Sequence, residues 1–446
     1  MKIVKMSLVA AVLIGSSAFA IENTKVSGNA NVFYATTDAG TADMFDKDAS
    51  AADVALNLNV ATDLLKNDLV SVSAGAGYTV LSTLGLENNF VSNVWASSHT
   101  ATAGTAQSYG APLNGVKVEN ANWFNEAWVA VSTGKTTAKL GRMELDTPLA
   151  YTEKWSIEKN TFEAAVVINQ DLPDTTLVGA YIGNGNGTET FGDPRMHSNV
   201  AALGHSTAGI VNGNGDFSTY GSDGAYGAGI INNSFKPLTV QAWYYDVQKI
   251  ATAYWLQADL ACEMIPGVLA GVQYSGLDID STQRKIVGAA NATDNAVKVD
   301  SDAMAVMLGY AMPDVATVKV AYSTIGKDHS AGQNTATDFV GGTAQSKLYT
   351  EAWWNYGKIT NKDTESYNVT LTSPVQGIFD LGLFYTNADQ SKAAGNNDLS
   401  EVTVSAGKTF GPLTATLVYI NADITTAAVN DDENSQTVQA YLTVNF

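Results

Sequence analysis

The stretch that decides the fold runs from Asp53 to Thr62 and reads DVALNLNVAT. Its positions alternate strictly between an apolar face and a small or polar face: Val54, Leu56, Leu58 and Val60 against Ala55, Asn57, Asn59 and Ala61. A repeat of two residues is that of a β-strand, because a helix brings residues three and four apart onto one face. The stretch therefore predicts a strand that separates two different environments.

The same alternation recurs along the chain, most clearly in residues 70–80, 254–260, 268–274, 318–322 and 413–419. The strands of a soluble β-sandwich also alternate in polarity, so two further features are needed to distinguish a sandwich from a membrane barrel. The second face carries mostly Ser, Thr, Asn, Gln, Gly and Ala, which suits a wet lumen. Tyrosines close the apolar face at strand ends, where an aromatic girdle would meet lipid headgroups: Tyr78, Tyr274, Tyr310, Tyr322, Tyr385 and Tyr419. We therefore expect an all-β fold, a transmembrane antiparallel up-and-down β-barrel with long external loops.

Short and long connections alternate between the predicted strands, as expected when the two barrel rims face the periplasm and the outside. The short ones carry six of the nine prolines: Pro173, Pro237, Pro266, Pro313, Pro374 and Pro412. The long ones, roughly 81–120, 184–226, 278–301 and 326–364, have the composition of surface loops. Strands are predicted near residues 25, 53, 69, 121, 137, 161, 176, 227, 239, 251, 268, 302, 317, 365, 378, 400, 413 and 436. This gives about 18 strands, an even number that puts both mature termini on the periplasmic side.

The first 20 residues have the features of a secretory signal peptide. Lys2 and Lys5 precede an apolar run from Leu8 to Ile14, and Ala18-Phe19-Ala20 supplies a small-x-small cleavage pattern. This run is too short for a membrane anchor, which needs about 20 apolar residues, and no later stretch is long enough either. We expect cleavage after Ala20, which divides the chain into a signal peptide, residues 1–20, and an outer-membrane barrel, residues 21–446.

The chain is acidic, with 44 Asp and Glu residues against 24 Lys and Arg residues and a net charge of −20. Loss of Lys2 and Lys5 with the signal peptide changes −20 to −22. Nucleic acid is therefore not an expected partner. One cysteine, Cys262, and four histidines give neither an internal disulfide nor a zinc pattern. The histidines fall in predicted loops without a catalytic motif, so we expect no catalytic residues and no cofactor.

Two acidic clusters, Asp278–Asp280 and Asp431–Glu433, could offer oxygen ligands to a structural divalent cation. They lack the glycine-punctuated spacing of a calcium loop, which favours solvated loop charge instead. No metal ligand is therefore assigned from the sequence.

The final residues form an apolar face that ends in an aromatic residue: Val438, Ala440, Leu442, Val444 and Phe446. In a soluble sheet this edge would tend to aggregate unless it closed a barrel against the first strand. The pattern resembles the last strand of outer-membrane barrels, and the resemblance implies that the barrel assembly machinery reads Phe446. Lipid bilayer and lipopolysaccharide are then the expected surroundings.

A family resemblance rests on residues 140–182. Here the chain reads LGRMELDTPLA from Leu140, NTFEAAV from Asn160 and TTLVGAYI from Thr175. With the MKIVKMSLVAA opening and the terminal strand, this segment resembles the major outer-membrane porins of Campylobacter and its relatives, distant members of the OprD-like porins. The resemblance implies a barrel of about 18 strands, commonly a homotrimer, that passes small hydrophilic solutes. It also implies a third external loop folded inward as a constriction.

The strand count places Asp146 to Asn160 in that third loop. This loop and the strand before it supply the candidate constriction residues: Arg142, Glu144, Asp146, Glu153, Lys154, Glu158 and Lys159. Opposed acids and bases at a narrow waist would create a transverse field that sorts solutes by charge. Three further charges fall on polar strand faces and would line the lumen or pair within the wall: Glu126, Asp259 and Lys319.

Arg142 is the candidate cation of the constriction and would face Asp146 or Glu153, or else lock loop to wall as a structural pair. OprD-like carboxylate channels carry a ladder of basic residues, whereas this chain has three arginines, Arg142, Arg195 and Arg284. The expected function is a porin for passive diffusion of ions and small hydrophilic solutes, with weak cation selectivity. The alternatives are a surface adhesin or structural barrel and a barrel-embedded hydrolase.

Overall fold

The computed structural model describes residues 22–38, 43–86, 90–91, 93–94, 100–101, 118–154, 157–187, 211, 215–221, 223–262, 264–279, 300–336, 344–375, 377–392, 394–426 and 429–446. The predicted signal peptide and its cleavage site lie outside these ranges. Within them, no helix is long and apolar enough to cross a membrane.

The described chain forms a closed antiparallel barrel of 18 strands. In chain order these are β1 Glu22–Asp38, β2 Ser50–Lys66, β3 Ser71–Ser82, β4 Ala121–Thr133, β5 Thr136–Met143, β6 Phe162–Asn169, β7 Thr175–Gly185, β8 Ala225–Asn232, β9 Leu238–Val247, β10 Ala251–Ala261, β11 Val268–Ile279, β12 Ser301–Met312, β13 Ala316–Ile325, β14 Thr364–Val375, β15 Phe379–Gln390, β16 Asp398–Phe410, β17 Leu413–Thr426 and β18 Val429–Asn445. Each strand pairs with the next, and β1 also pairs with β18. The predicted barrel is therefore confirmed, and every predicted start lies within three residues of the observed one except the last, which is Val429 rather than a residue near 436.

The register turns the apolar face of the sheet outward. In β2, Leu56 is 46% exposed whereas its neighbour Asn57 is 8% exposed. In β11, Val272 is exposed beside the buried Gln273. A wall that is apolar outside and polar inside is stable against hydrocarbon and encloses groups that water can solvate.

Aromatic pairs stand on the outer face near the strand ends that carry the long loops. Their ring centroids lie 5.0 to 5.7 Å apart across neighbouring strands: Tyr78–Phe124, Tyr181–Tyr226, Tyr254–Tyr274 and Tyr322–Tyr367. Tyr310 lies near the opposite end of the barrel, two residues before β12 ends at Met312. Such rings suit a boundary between hydrocarbon and water, because one side of each is apolar and the hydroxyl is polar.

Phe446 extends the seam between β18 and β1. Its backbone exchanges two hydrogen bonds with Gly28, at 2.9 Å from Gly28 N to Phe446 O and 3.0 Å in the other direction. A Cβ atom on Gly28 would lie 2.7 Å from the Phe446 ring, so glycine leaves the space that the ring fills. The ring thereby covers a gap in the outer face of β1.

Two long connections fold into the barrel. We call residues 144–161, between β5 and β6, L3, and residues 326–363, between β13 and β14, L7. Both loops contribute to the buried apolar cluster of the interior, L3 with Leu145 and Leu149 and L7 with Leu348 and Ala352. The wall contributes Trp243 and Trp255 to the same cluster. The prediction that the stretch 326–364 is a surface loop is wrong for its described part. It enters the lumen because the wall supplies hydrogen-bond partners for it, as described below.

Candidate constriction site

L3 and L7 meet inside the barrel through hydrogen bonds between their backbones and side chains. Thr335 N donates to Leu149 O at 2.9 Å. Asn334 Nδ2 donates to Tyr151 O at 3.0 Å and to Glu153 Oε1 at 2.9 Å. Asn334 is completely buried, and a buried amide whose hydrogen bonds are satisfied fixes the relative position of the two loops.

A charge pair joins the same two loops at their exposed side. Lys347 Nζ lies 2.5 Å from Asp146 Oδ1, and the Asp146 side chain is 92% exposed. The Lys347 ammonium also lies 4.8 Å from the centre of the Tyr151 ring. Asp146 is therefore the predicted constriction acid that solvent reaches most freely, although a lysine of L7 partly neutralises it.

L3 is tied to the neighbouring wall strand β4 by four charges that we call the ion-pair clamp: Glu126, Glu144, Lys154 and Lys159. Lys159 Nζ lies 2.8 Å from Glu126 Oε1 and also pairs with Glu144, which Lys154 contacts as well. Lys159 and Glu126 side chains are each 18% exposed, whereas the Lys154 side chain is 62% exposed. The structure thus brings together three of the predicted constriction residues and one predicted lumen residue.

The pKa values of the clamp follow from burial and pairing. Burial alone would lower the pKa of Lys159, but the carboxylates of Glu126 and Glu144 outweigh it and raise the pKa. Burial alone would raise the pKa of Glu144, but Lys159 and Lys154 outweigh it and lower the pKa. Both groups therefore carry charge at neutral pH.

L7 is anchored to β10 and β11 through neutral and charged wall residues. Tyr349 Oη donates to Asp259 Oδ1 at 2.5 Å, and Tyr349 N donates to Gln273 Oε1 at 3.0 Å. Gln273 Nε2 donates in turn to Lys347 O at 2.8 Å. Asp259 thus lies on the inner face but is engaged by L7, while Lys319 is exposed on the inner face of β13, in alternation with the outward Val320.

Glu401 on β16 forms a second anchor for L7. Its carboxylate accepts from Trp354 N at 3.0 Å, from Asn355 N at 2.8 Å and from Asn355 Nδ2 at 2.8 Å. Glu401 is 1% exposed, so these donors replace the water that a carboxylate otherwise requires.

Glu351 of L7 is partly buried and is bound by Ser346 of the same loop. Its carboxyl accepts from Ser346 N at 3.0 Å and from Ser346 Oγ. Burial raises the pKa of Glu351 well above its usual range, and Glu153 and Glu401 raise it further, against the hydrogen bonds from Ser346. Glu351 is therefore a carboxylic acid that keeps its proton at a pH where exposed glutamates have lost theirs.

Arg142 does not take the predicted place in the constriction. It lies in β5 on the same face as the exposed Leu140 and opposite the buried Met143, so it points away from the lumen. Its Nε lies 2.8 Å from Glu163 Oε1 of β6, and its guanidinium carbon lies 4.0 Å from the centre of the Phe217 ring. The prediction that Arg142 faces Asp146 or Glu153 is therefore wrong. The alternation of β5 continues through residue 142, which puts the Arg142 side chain on the outer face.

Glu153 and Glu158 are less accessible than a constriction role would require. They are 2% and 3% exposed. Asn334 donates to Glu153 as described, and Asn31 Nδ2 of β1 lies 3.4 Å from Ile157 O, beside Glu158. These two acids lie inside the L3 fold, so the charges exposed around the clamp and the loop contact are Asp146, Lys154 and, in part, Glu144.

Sequence reasoning missed the contribution of L7 and of its wall partners. Residues 348–356 read LYTEAWWNY, which is rich in aromatic side chains for a solvent-exposed loop. That composition was an available signal, because aromatic side chains gain most from burial. Glu401 carried a weaker signal, as a single acid on the small and polar face of a predicted strand.

Metal ligation has no support in the described part of the chain, where no group of three or more His, Cys, Asp or Glu side chains could hold an ion. Asp280 and the side chains of Asp431, Asp432 and Glu433 lie outside the described residues.

Comparison with known proteins shows the fold alone. No protein-family model matches the sequence, and no curated protein matches it. Among solved structures, OccK8 (OprE) of Pseudomonas aeruginosa is similar with a TM-score of 0.69 at 14% identity, over 96% of this chain and 99% of that one. OccK1 (OpdK) of the same organism is similar with a TM-score of 0.67 at 13% identity over the same shares. Another structure of OpdK, described as an outer membrane protein, gives 0.65 at 13% identity, over 96% of this chain and 99% of that one.

Proposed function

We propose that this protein is an outer-membrane porin, a water-filled channel for passive diffusion of ions and small hydrophilic solutes. One observation carries the proposal: L3 and L7 cross the interior of a closed barrel and meet there through Asp146–Lys347 and Asn334–Glu153. A barrel with loops folded inward and charges at their contact has the form of a selective constriction. The similar fold of OpdK, an outer membrane protein, supports the location.

The selectivity we propose is weakly cationic. The protein carries a net charge of −20 before any processing, and fixed negative charge in a low-dielectric pore raises the local concentration of cations. Near the constriction, however, Lys154, Lys159 and Lys347 neutralise the neighbouring acids. The balance supports a modest preference that weakens as salt screens it, over about 10 Å at 0.1 M.

A preference for carboxylates does not follow from the fold. One solved structure of OpdK contains vanillate, an aromatic carboxylate. In this chain the arginine among the described residues, Arg142, points away from the lumen and pairs with Glu163. Lysines that already bind Glu126, Glu144 and Asp146 offer little free positive charge to an anion.

The remaining parts of the proposal come from the sequence. We infer a signal peptide cleaved after Ala20, recognition of Phe446 by the barrel assembly machinery, contact with lipopolysaccharide, and a homotrimer. The resemblance to the Campylobacter-type and OprD-like porins supports them. Mass measurement of the detergent complex tests the trimer, and a monomer would leave the channel function intact.

Planar-bilayer recording of the full-length protein tests the main proposal. We expect discrete conductance steps and a reversal potential in a salt gradient that indicates a small excess of cation permeability. A barrel that inserts without conductance would favour the adhesin or structural reading, and an anion-selective channel would contradict the electrostatic argument. We expect no hydrolytic activity toward peptide or phospholipid substrates.

A further inference from the structure

The short turns at the periplasmic end of the barrel carry exposed apolar side chains. These turns follow the even-numbered strands from β2 to β16. Turns of this kind are usually made of Gly, Pro, Asn, Asp and Ser. Six of the eight nevertheless hold a large apolar side chain that is more than half exposed, and we call these side chains the rim residues: Leu69, Leu172, Phe235, Met264, Ile265, Val315 and Ile378.

The rim residues continue the apolar outer face of the strands. On β12 the exposed Leu308, Tyr310 and Met312 lead directly to Val315 in the next turn. The turn after β10 carries Met264, whose side chain is 93% exposed. The surface that faces hydrocarbon on the strands therefore does not end where the strands end.

The height of the barrel puts the rim residues at the inner leaflet of the membrane. Tyr78 belongs to the aromatic pairs near the external end, and Leu69 precedes it by nine positions. At about 3.3 Å per residue and a strand tilt of about 40°, nine positions span about 23 Å along the barrel axis. Tyr226 and Phe235 are separated by the same nine positions. The apolar band of an outer-membrane barrel is about 25 Å tall, so these turns lie at its lower edge rather than in periplasmic water.

The distribution of the rim residues identifies lipid as their partner. They occur from the turn after β2 to the turn after β14, and a bilayer contacts a barrel on every side. A protein partner, which covers about 800 Å² in a standard interface, would contact one sector of the rim. Acids in the same turns, Asp68, Asp171 and Asp314, would meet the water of the headgroup layer. This pairing of apolar and charged side chains is that of a segment at the boundary between headgroups and acyl chains.

We propose that the periplasmic rim is a lipid-binding surface, in which the rim residues insert among the acyl chains of inner-leaflet phospholipids. Together with the exposed Tyr310 and Phe410 they take the place of the periplasmic aromatic girdle. The inference goes beyond the proposed porin function, because it concerns the depth of the barrel in the membrane and not what the barrel conducts. The lumen then opens level with the inner surface of the membrane.

Spin labelling of the full-length protein in phosphatidylethanolamine–phosphatidylglycerol vesicles tests the proposal. A nitroxide is attached to a single cysteine in a Cys262→Ser background, at Phe235→Cys or Ile378→Cys in the rim. The matched control is Lys135→Cys, in a turn of the same rim that reads Gly-Lys and has no apolar residue. Leu256→Cys on the outer face is the reference for lipid contact. We expect the two rim labels to collide with oxygen, which concentrates in lipid, more than with a water-soluble nickel complex, and the control label to show the reverse.

Bilayer thickness supplies a second measurement. A barrel in a bilayer of short-chain phospholipids exposes more of its ends to water than one in a long-chain bilayer. The label at Phe235→Cys should therefore lose its preference for oxygen in the short-chain vesicles, whereas the label at Leu256→Cys should keep it in both.

The outcome that overturns the proposal is a pair of rim labels as accessible to the nickel complex as the Lys135→Cys label in long-chain vesicles. These readouts need no conductance, so the two proposals fail separately. A conducting protein with water-exposed rim labels would contradict the lipid-binding rim alone. A protein with lipid-exposed rim labels that forms no channels would support the rim and contradict the proposed function.

Discussion

The two loops that narrow this barrel are held in opposite ways. L3 is tied to the wall by the ion-pair clamp, in which Lys159 lies 2.8 Å from Glu126 and also contacts Glu144. L7 is tied by hydrogen bonds to buried acceptors, with Glu401 taking three donors from Trp354 and Asn355. The acids that hold the two loops therefore differ in their surroundings. Those that bind L3 are neutralised by lysines, whereas Glu401, which binds L7, is buried, pairs with no lysine among the described residues and is hydrogen-bonded to N–H groups.

The two anchors respond to pH with opposite signs. The pKa of Glu144 is lowered, so its contribution is present above the ordinary pKa of a glutamate and is lost as pH falls through the lowered value. The pKa of Glu351 is raised, so its contribution is complete below the ordinary pKa and is lost as pH rises toward the raised value. We therefore expect the contribution of Glu144 to L3 to weaken as the pH falls, and that of Glu351 to L7 to weaken as the pH rises above the ordinary pKa of a glutamate.

The largest effect should come from removing the L7 anchor. Glu401→Ala leaves the N–H groups of Trp354 and Asn355 without their acceptor, and each unsatisfied buried donor costs about 1–3 kcal/mol. We expect the free energy for docking L7 to fall by about 3 kcal/mol, with strongly increased current noise in single channels. The control Asp389→Ala removes an exposed acid from the outer face of β15 and should leave the noise unchanged. Equal noise in both variants would contradict the anchoring role.

The next largest effect concerns the clamp. Lys159→Met removes this cation from the partly buried Glu126 and Glu144, and the loss of the partner should weaken the L3 contact by about 2 kcal/mol after allowance for partial exposure. Lys154→Met removes a largely exposed lysine and should cost about 0.5 kcal/mol. Thermal unfolding in detergent measures both. The order of the two variants is the test, and a larger effect of Lys154→Met would refute the clamp as described.

The increase of channel noise at low pH should depend on Glu144. As the pH falls through the lowered pKa of Glu144, protonation of this carboxyl breaks its pairs with Lys154 and Lys159, so channel noise from L3 should increase. Glu144→Gln should show that noise already at neutral pH and respond little to further acid. High salt should mimic acid in the wild type in part, because screening weakens the exposed Lys154 pair. A wild-type channel whose noise does not increase on acidification, while Glu144→Gln is noisy at neutral pH, would argue against this assignment.

The smallest effect concerns selectivity. Asp146→Asn removes an exposed charge at the loop contact, and a unit charge about 10 Å from a permeating ion in water is worth about 0.4 kcal/mol, or about twofold in the permeability of each ion. Glu153→Gln should shift the reversal potential less, because Glu153 is 2% exposed and binds Asn334. Asp431→Asn with Asp432→Asn, at the start of β18, should barely shift it. A larger shift from that pair than from Asp146→Asn would place the constriction elsewhere.

The fold could be predicted from the sequence because a period of two fixes both the strand and its faces. Because Leu56 and Asn57 are consecutive in a strand, their side chains point to opposite faces, one outward and one inward. Predicting this needs no knowledge of contacts between residues far apart in the sequence. The errors occur where local pattern ends. Pro374 was assigned to a turn, but it lies within β14 opposite Asp380, and β18 begins at Val429, in a stretch of polar residues that gives no alternation signal.

The candidate site could be predicted only in part. L3 was found through its charges, and the clamp indeed gathers Glu126, Glu144, Lys154 and Lys159. Arg142 was predicted to face the lumen, but the alternation of β5 continues to Met143 and puts Arg142 on the same outer face as Leu140. L7 was missed because its burial depends on acceptors that lie far away in sequence, such as Gln273 and Glu401.

The seam between β1 and β18 has a consequence for how the molecule is made. Thr37 and Thr437 meet there with their hydroxyls 2.9 Å apart although they are 400 positions apart in the chain. Closing so long a loop is entropically costly, so this pairing forms late. Until then β1 and the most recently added strand each expose a row of unpaired backbone groups, which hydrocarbon cannot solvate and other chains can pair with. Insertion into the lipid and closure of the seam are therefore coupled events. A chain in which β18 has not yet paired with β1 needs water and chaperones to keep its unpaired strands from aggregating.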